Sequence, residues 1–167
     1  MKDKKLLSFI NNTLSEVADL SDLAGFHCND MVVDGRGNAY IGNFGFNTYS
    51  GEEIKPANLI LVRPGEDPCV AADNLLFPNG AVITPDGKTL IVGETYAARL
   101  TSFDINQDAT LSNRRVWADF TLDAKEGEVP VPDGMCLDAE GAIWVASPTT
   151  ADVIRIKEGG EILDRIP

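Results

Sequence analysis

The sequence has few of the residues that bind transition metals or form disulfides. It contains three cysteines, Cys28, Cys69 and Cys136, and a single histidine, His27, and none of them is spaced like the ligands of a zinc site. An odd number of cysteines without paired spacing is typical of reduced thiols. The composition therefore indicates a cytoplasmic protein without a disulfide framework.

Basic residues and long apolar runs are also scarce. Lysine and arginine number 14 against 26 aspartates and glutamates, which gives a formal net charge of −12. This charge repels polyanions, so neither nucleic acid nor an anionic membrane surface is an expected partner. The apolar stretch 6–10 ends at two asparagines and is shorter than a secretory signal requires, and no run approaches the roughly 20 apolar residues of a membrane span.

What the sequence does contain is an internal repeat. Residues 29–42, 79–92 and 133–146 share one layout, in which a polar residue opens an apolar strand that is followed by a Gly-containing turn and a second apolar strand. Two further strand-like patterns recur after them, at 58–62, 99–103 and 152–156, and at 71–73 and 117–119. Stretches 5–9 and 17–19 resemble these later strands. Each unit thus has four short strands in about 45–55 residues, the period of a four-stranded β-propeller blade.

The repeat predicts an all-β fold with three blades, at about 27–75, 76–120 and 130–167, preceded by the outer half of another. Residues 6–20 also fit one face of a helix, but the recurrence of the same pattern in later units favours strands. Short strands alone would equally suit a β-sandwich, and the long regular period favours the propeller. Longer loops are expected at 45–56 and 121–132.

The residues that open the first strand of each unit are Asn29, Asn79 and Asp133. In a propeller these strands line the central channel, so we expect the three side chains to converge at one mouth. Amide and carboxylate oxygens are the ligands of hard cations such as Ca²⁺ and Mg²⁺. Asn-Gly and Asp-Gly pairs also cap turns before strands, and spacing alone leaves both interpretations open.

Several ordered motifs resemble those of the SMP-30/gluconolactonase/LRE-like family, the regucalcin-like lactonases. The resemblance covers nearly the whole chain, and it is carried by Asn29-Asp30 with the turn at 34–37, and by residues 77–80, 85–90, 111–116 and 132–138.

The resemblance implies a six-bladed propeller that holds one divalent cation, with Ca²⁺ favoured and Mg²⁺, Mn²⁺ or Zn²⁺ as alternatives. Asn79 and Asp133 would bind this cation, and Asp133 would also act as general base in the hydrolysis of a small lactone. Asn29 would contact the substrate or a metal-bound water. His27 stands where many family members carry an arginine that contacts sugar hydroxyls, so His27 is a candidate substrate contact and a sugar-acid lactone is placed in doubt.

The family's first metal ligand is a glutamate in the blade before Asn29, and this sequence has no counterpart for it. We therefore expect residues 1–167 to form one incomplete propeller domain that lacks the start of its first blade and its last two blades. The open ends would expose apolar faces, which a homo-oligomer could cover.

Three functional interpretations stay open. The chain is a metal-dependent lactonase or its inactive remnant, a non-catalytic propeller fragment that binds a cation or a protein, or a propeller enzyme of different chemistry.

Overall fold

The computed structural model of the protein describes residues 3–122 and 128–167. Within them the chain forms three four-stranded antiparallel sheets and one two-stranded sheet. The strands are β1 (Lys5–Ile10), β2 (Thr13–Asp19), β3 (Cys28–Val33), β4 (Ala39–Asn43), β5 (Ala57–Val62), β6 (Cys69–Leu75), β7 (Pro78–Ile83), β8 (Thr89–Glu94), β9 (Arg99–Ile105), β10 (Leu111–Asp119), β11 (Met135–Leu137), β12 (Ile143–Ser147), β13 (Asp152–Ile156) and β14 (Ile162–Ile166). A short 3-10 helix, Thr95–Ala97, follows β8.

The sheets are successive propeller blades. Each four-stranded sheet is a meander in chain order, β3 to β6, β7 to β10 and β11 to β14, and the β1–β2 pair precedes them. The first strand of the middle blade, β7, contacts both β3 and β11, as expected when innermost strands surround a common axis. The prediction of three blades and half of another is confirmed, and the β-sandwich alternative is wrong.

The helical alternative for residues 6–20 is also wrong. β1 and β2 pair in register from Lys5 with Asp19 to Ile10 with Thr13. Asn11 and Asn12 form the connecting turn with φ values of 50° and 60°. Asparagine tolerates this left-handed conformation better than most residues, and two such residues in succession suit a tight hairpin.

The three complete blades share one kind of turn between their first two strands. In the first blade, Asp34 Oδ1 accepts hydrogen bonds from the backbone N–H groups of Arg36 at 2.8 Å and Asn38 at 2.9 Å. Gly37 adopts a φ of 87°, and Gly87 and Gly141 occupy the equivalent places with φ values of 70° and 82°. Glycine adopts this conformation without steric cost, which explains the repeated turn motif.

Three hydrophobic clusters lie between neighbouring sheets. Alternate residues of one strand face opposite neighbours, as β4 shows: Ile41 packs in the cluster toward β1 and β2, while Tyr40 packs in the cluster shared with the next blade. Tyr40 is fully buried, and its hydroxyl donates a 2.8 Å hydrogen bond to the Ala109 carbonyl across that interface. Blade-to-blade packing therefore fixes the relative positions of the inner strands.

Apolar side chains are exposed on the sheets at both ends of the chain. Phe9 and Ile10 of β1 and Leu14 of β2 are 69%, 66% and 62% exposed, and Ile166 of β14 is 52% exposed. The predicted loop at 45–56 is confirmed between β4 and β5, whereas residues 123–127 of the other predicted loop lie outside the described residues. Among the described residues, no helix is long and apolar enough to cross a membrane.

Candidate functional site

The structure brings together the three polar residues that the repeat singled out. Asn29 Nδ2 donates a hydrogen bond of 2.6 Å to Asn79 Oδ1, and Asn79 Nδ2 donates one of 2.9 Å to Asp133 Oδ1. Asn79 is buried, Asn29 is partly buried and Asp133 is exposed. A continuous polar chain therefore crosses the starts of all three complete blades.

The inner strands determine this convergence. Asn29 and Asn79 are the second residues of β3 and β7, whereas β11 begins two residues after Asp133. The backbone around Asp133 is nevertheless held on both sides. Its N–H donates to the Ala146 carbonyl at 3.0 Å, and its carbonyl accepts from the Gly80 N–H at 3.1 Å. Asp133 is therefore tied to its own blade and to the residue that follows Asn79.

Gly80 has no space for a side chain at this junction. A Cβ atom on Gly80 would lie 2.4 Å from the Asp133 carbonyl oxygen, whereas one on Gly134 would meet nothing within 4 Å. We expect Gly80→Ala to displace the Asp133 backbone and to lower the free energy of unfolding by about 1–3 kcal/mol, the usual cost of overpacking. Chemical denaturation measures this change.

Gly134→Ala is the matched control, because it adds the same methyl group on the other side of Asp133. It should leave the unfolding midpoint nearly unchanged. Equal effects of the two substitutions would contradict the assignment of Gly80 to a close backbone contact.

The sequence patterns did not identify Thr95 as part of this polar chain. Asn79 Nδ2 lies 3.1 Å from Thr95 Oγ1, and Thr95 Oγ1 lies 2.7 Å from the Pro132 carbonyl oxygen. Thr95 begins the short 3-10 helix after β8, outside the repeated motif. Its contact with Asn79 depends on how the loop after β8 turns back over the start of β7, which no repeat in the sequence specifies.

Asp30 is a second residue that the patterns missed. Asp30 is exposed, but neighbouring protein atoms displace enough water to raise the pKa of its carboxyl above the ordinary value, and the negative charge of Asp133 raises it further. Two carboxylates therefore repel each other beside the Asn29–Asn79–Asp133 chain. A bound cation would relieve this repulsion.

His27 lies among aromatic rings two residues before Asn29. Its ring stacks on Phe26 with a centroid separation of 3.9 Å and an interplanar angle of 22°, and it meets Phe44 edge-on at 6.4 Å. The cluster extends through Phe44 to Phe77, whose centroids are 4.4 Å apart, and on to Tyr96 at 5.5 Å. Phe77 lies two residues before Asn79, and Tyr96 directly follows Thr95. The aromatic cluster therefore adjoins the polar chain.

Glu94 is a buried carboxylate close to the site, and its partners are internal. Its Oε1 atom accepts from Thr101 Oγ1 at 2.5 Å and from Arg99 at 2.9 Å, and it lies 3.3 Å from Arg114. Its Oε2 atom accepts from the Leu76 N–H at 2.9 Å. Burial opposes ionisation, but the hydrogen bonds from Thr101, Leu76 and Arg99 and the positive charge of Arg99 together hold the pKa of Glu94 below its ordinary value. Glu94 therefore anchors the segment that leads into β7 and is not available to a cation.

A family comparison places this arrangement among known proteins. The family model described as the SMP-30/Gluconolactonase/LRE-like region matches residues 2–167. The chain belongs to the SMP-30/gluconolactonase/LRE-like family. The family resemblance predicted from the motifs is thereby confirmed.

Regucalcins are among the curated members of the SMP-30/gluconolactonase/LRE-like family that resemble the chain. Regucalcin of Danio rerio is 26% identical over 151 residues, which cover 90% of this chain and 49% of that protein. Regucalcin of Xenopus laevis is 32% identical over 136 residues, which cover 77% of this chain and 42% of that protein. The chain thus spans about half the length of the curated relatives it matches.

Solved structures of similar fold include a calcium-binding regucalcin from Agrobacterium tumefaciens, with a TM-score of 0.78, 26% identity, and coverage of 98% of this chain and 54% of that chain. A luciferin-regenerating enzyme has a TM-score of 0.81 at 18% identity, covering 98% of this chain and 56% of that chain. A gluconolactonase from Xanthomonas campestris has a TM-score of 0.73 at 24% identity, covering 99% of this chain and 56% of that chain. The last two similarities show the fold alone.

The donor atoms of the Asn29–Asn79–Asp133 chain suit a hard divalent cation. The site offers the amide oxygen of Asn79 and the carboxylate of Asp133, with the carboxylate of Asp30 nearby, and such oxygens match the preference of Ca²⁺. Among the residues that the structure describes, no cluster of three or more His, Cys, Asp and Glu side chains is gathered for a metal. Asparagine is outside that residue set, so the fit rests on mixed amide and carboxylate oxygens.

Proposed function

We propose that the chain is a divalent-cation-dependent hydrolase of small lactones. The observation that carries the proposal is the hydrogen-bonded chain from Asn29 through Asn79 to Asp133, because it brings polar side chains of three blades together and includes an amide and a carboxylate oxygen. Membership of a family that includes gluconolactonases supports it.

Each side chain has a separate role in this proposal. Asn79 and Asp133 hold the cation, which would polarise the lactone carbonyl and stabilise the developing oxyanion. Asp133, whose carboxylate is exposed to solvent, accepts the proton of the attacking water. Asn29 and His27 contact the substrate. The Phe26 ring stacked on His27 makes one side of this contact apolar. An arginine that binds sugar hydroxyls would make a polar contact instead.

The cation is expected to be Ca²⁺, with Mg²⁺, Mn²⁺ and Zn²⁺ as alternatives. The calcium-binding regucalcin from Agrobacterium tumefaciens, 26% identical over nearly the whole of this chain, supports this choice. The absence of thiolate and imidazole donors from the polar chain also favours a cation that prefers oxygen.

Hydrolysis assays on a panel of γ- and δ-lactones test the proposal. We expect turnover that EDTA removes and that Ca²⁺ or another of the four cations restores. The panel should include both sugar-acid lactones and lactones with apolar substituents. His27 and its aromatic neighbours stand where many family members carry an arginine that contacts sugar hydroxyls, so the preferred substituent is to be determined. Absence of turnover with every cation would contradict the hydrolase assignment for this chain.

A cation-binding module without turnover is the second candidate. The observation that favours it is the limited donor set, since Asn79 and Asp133 are the described side chains that the polar chain offers directly and Glu94 is committed to arginines. Calorimetry distinguishes the candidates: heat of Ca²⁺ binding with no lactone turnover identifies the module. Binding of a protein partner through the channel face is a further form of this candidate.

The remaining expectations concern location and assembly. The cysteines Cys28, Cys69 and Cys136 are free thiols, which supports a cytoplasmic location. The exposed apolar residues of β1 and β14 support the prediction that a homo-oligomer covers the open blade ends. Light scattering during size-exclusion chromatography, with and without Ca²⁺, measures the assembly state.

A further inference from the structure

We infer that Thr95 is a positioning residue that fixes which end of the Asn79 side-chain amide faces the proposed cation. The inference rests on the function proposed above, because the amide oxygen of Asn79 is one of the two assigned ligands. It adds a residue that neither the repeated motif nor the family motifs contain. The directions of consecutive hydrogen bonds determine the orientation of the amide.

The Pro132 carbonyl determines the direction of the first bond. A carbonyl oxygen only accepts hydrogen bonds, and it lies 2.7 Å from Thr95 Oγ1, so the threonine hydroxyl donates its hydrogen there. A hydroxyl has one hydrogen. Toward Asn79, at 3.1 Å, Thr95 Oγ1 is therefore an acceptor.

Only the NH₂ end of an asparagine amide can donate to such an acceptor. The Asn79 Nδ2 atom must therefore face Thr95, and Oδ1 must face the opposite side. There Oδ1 accepts the 2.6 Å hydrogen bond from Asn29 and is presented as a ligand. A rotated amide would place its oxygen against Thr95 Oγ1 and the Asp133 carboxylate, both of which are acceptors.

Asp133 alone cannot maintain this orientation. Its Oδ1 atom also accepts from Asn79 Nδ2, at 2.9 Å. In the proposed function, however, the same carboxylate would also hold the cation, so its oxygens would be shared between the cation and Asn79 Nδ2. The partner of Thr95 is a backbone carbonyl, which has the same hydrogen-bonding character in every state.

Thr95 is itself held by the backbone that leads into Asn79. Its N–H donates to the Phe77 carbonyl at 3.1 Å, and the N–H of Tyr96 donates to the Leu76 carbonyl at 3.2 Å. The carboxylate of Glu94 binds the Leu76 N–H at 2.9 Å. The last residue of β8 and the two residues after it thus bind the two residues before β7, so the hydroxyl has a fixed position relative to Asn79.

The test is Thr95→Val, which keeps the shape of the side chain and removes the hydroxyl. We expect Ca²⁺ affinity to fall about 10–100-fold by calorimetry, the usual effect of losing a partner that orients a ligand. Thr95→Ser, which keeps the hydroxyl, should restore most of the affinity. Thr89→Val makes the same change at the opposite end of β8 and should have no effect.

A second readout does not need the cation. In ¹⁵N-labelled protein without Ca²⁺, the side-chain NH₂ resonances of Asn79 should shift and exchange faster with water in Thr95→Val but not in Thr95→Ser. Should Thr95→Val not fold, Thr95→Ala carries both readouts. If the wild-type protein binds no Ca²⁺, the proposed function fails, and the amide resonances still decide the role of Thr95. Unchanged Asn79 resonances, or wild-type Ca²⁺ affinity in Thr95→Val, would overturn the inference.

Discussion

Replacing Asp133 by asparagine is expected to lower lactone turnover by about 10²–10⁴-fold, the range for loss of a general base. The substitution keeps the size of the side chain and an oxygen that can accept from Asn79 Nδ2, so the fold should persist. It removes the charge that binds a cation and the group that accepts the proton. Steady-state kinetics and Ca²⁺ calorimetry on the same preparations measure both losses.

Asp164→Asn is the matched control for this change. Asp164 lies on the exposed strand β14, and its carboxylate accepts from the neighbouring Arg165 N–H. The control should retain wild-type turnover and affinity. If Asp133→Asn also retained both within a factor of about two, neither proposed role of Asp133 would stand.

Replacing Glu94 by alanine is expected to cause the largest loss of stability. The Glu94 side chain is fully buried, and its removal leaves Arg99, Arg114 and the Leu76 N–H without their carboxylate partner. Breaking a buried ion pair commonly costs about 3–5 kcal/mol, and the partial exposure of both arginines favours the lower end, near 3 kcal/mol. Urea unfolding followed by tryptophan fluorescence measures the change.

The pH dependence of stability provides a sharper check on Glu94. Its pKa is lower in the folded chain than in the unfolded chain, so its contribution is complete above the ordinary glutamate pKa and is lost as the pH falls through the lowered value. The difference between the wild type and Glu94→Ala should therefore shrink in acid. Glu161→Gln, which alters an exposed pair with Lys157, should have no comparable effect at any pH. A difference that stays constant with pH would contradict the ionised state of Glu94.

The repeat made most of the fold predictable from the sequence. Gly37, Gly87 and Gly141 have positive φ values at equivalent turns, so the residue that each turn requires is visible in the sequence. The register of Asn29, Asn79 and Asp133 follows from the same repeat, because equivalent positions of neighbouring blades meet at the axis. The fold and the convergence of these side chains could both be derived in this way.

Contacts made by residues outside the repeated motif could not be derived from the repeat. Thr95 reaches Asn79 because the loop after β8 folds back over the start of β7, and Glu94 meets Arg114 across 20 residues. These contacts depend on side-chain packing within one blade and differ from blade to blade. Periodicity predicts what the blades share, so it does not report the residues that make the middle blade different.

The hydrogen bonds of the polar chain also explain why the site was only partly visible in the sequence. Asp30 follows Asn29 directly, but its proximity to the Asp133 charge depends on the distance between two inner strands that are not neighbours in sequence. When the role of a carboxylate depends on a residue of another blade, the sequence around that carboxylate does not reveal the role. The exposure of Asp133 likewise depends on where its strand begins, which is three residues later relative to the polar residue than in the other two blades.

The most direct measurement is a crystal structure of the protein grown with Ca²⁺. The proposed assignment predicts one Ca²⁺ ion within roughly 2.3–2.6 Å of both Asn79 Oδ1 and an Asp133 carboxylate oxygen, with Asn79 Nδ2 still facing Thr95. A saturated crystal in which Ca²⁺ binds elsewhere, or in which the Asn29–Asn79–Asp133 chain persists without a cation, would contradict the assignment.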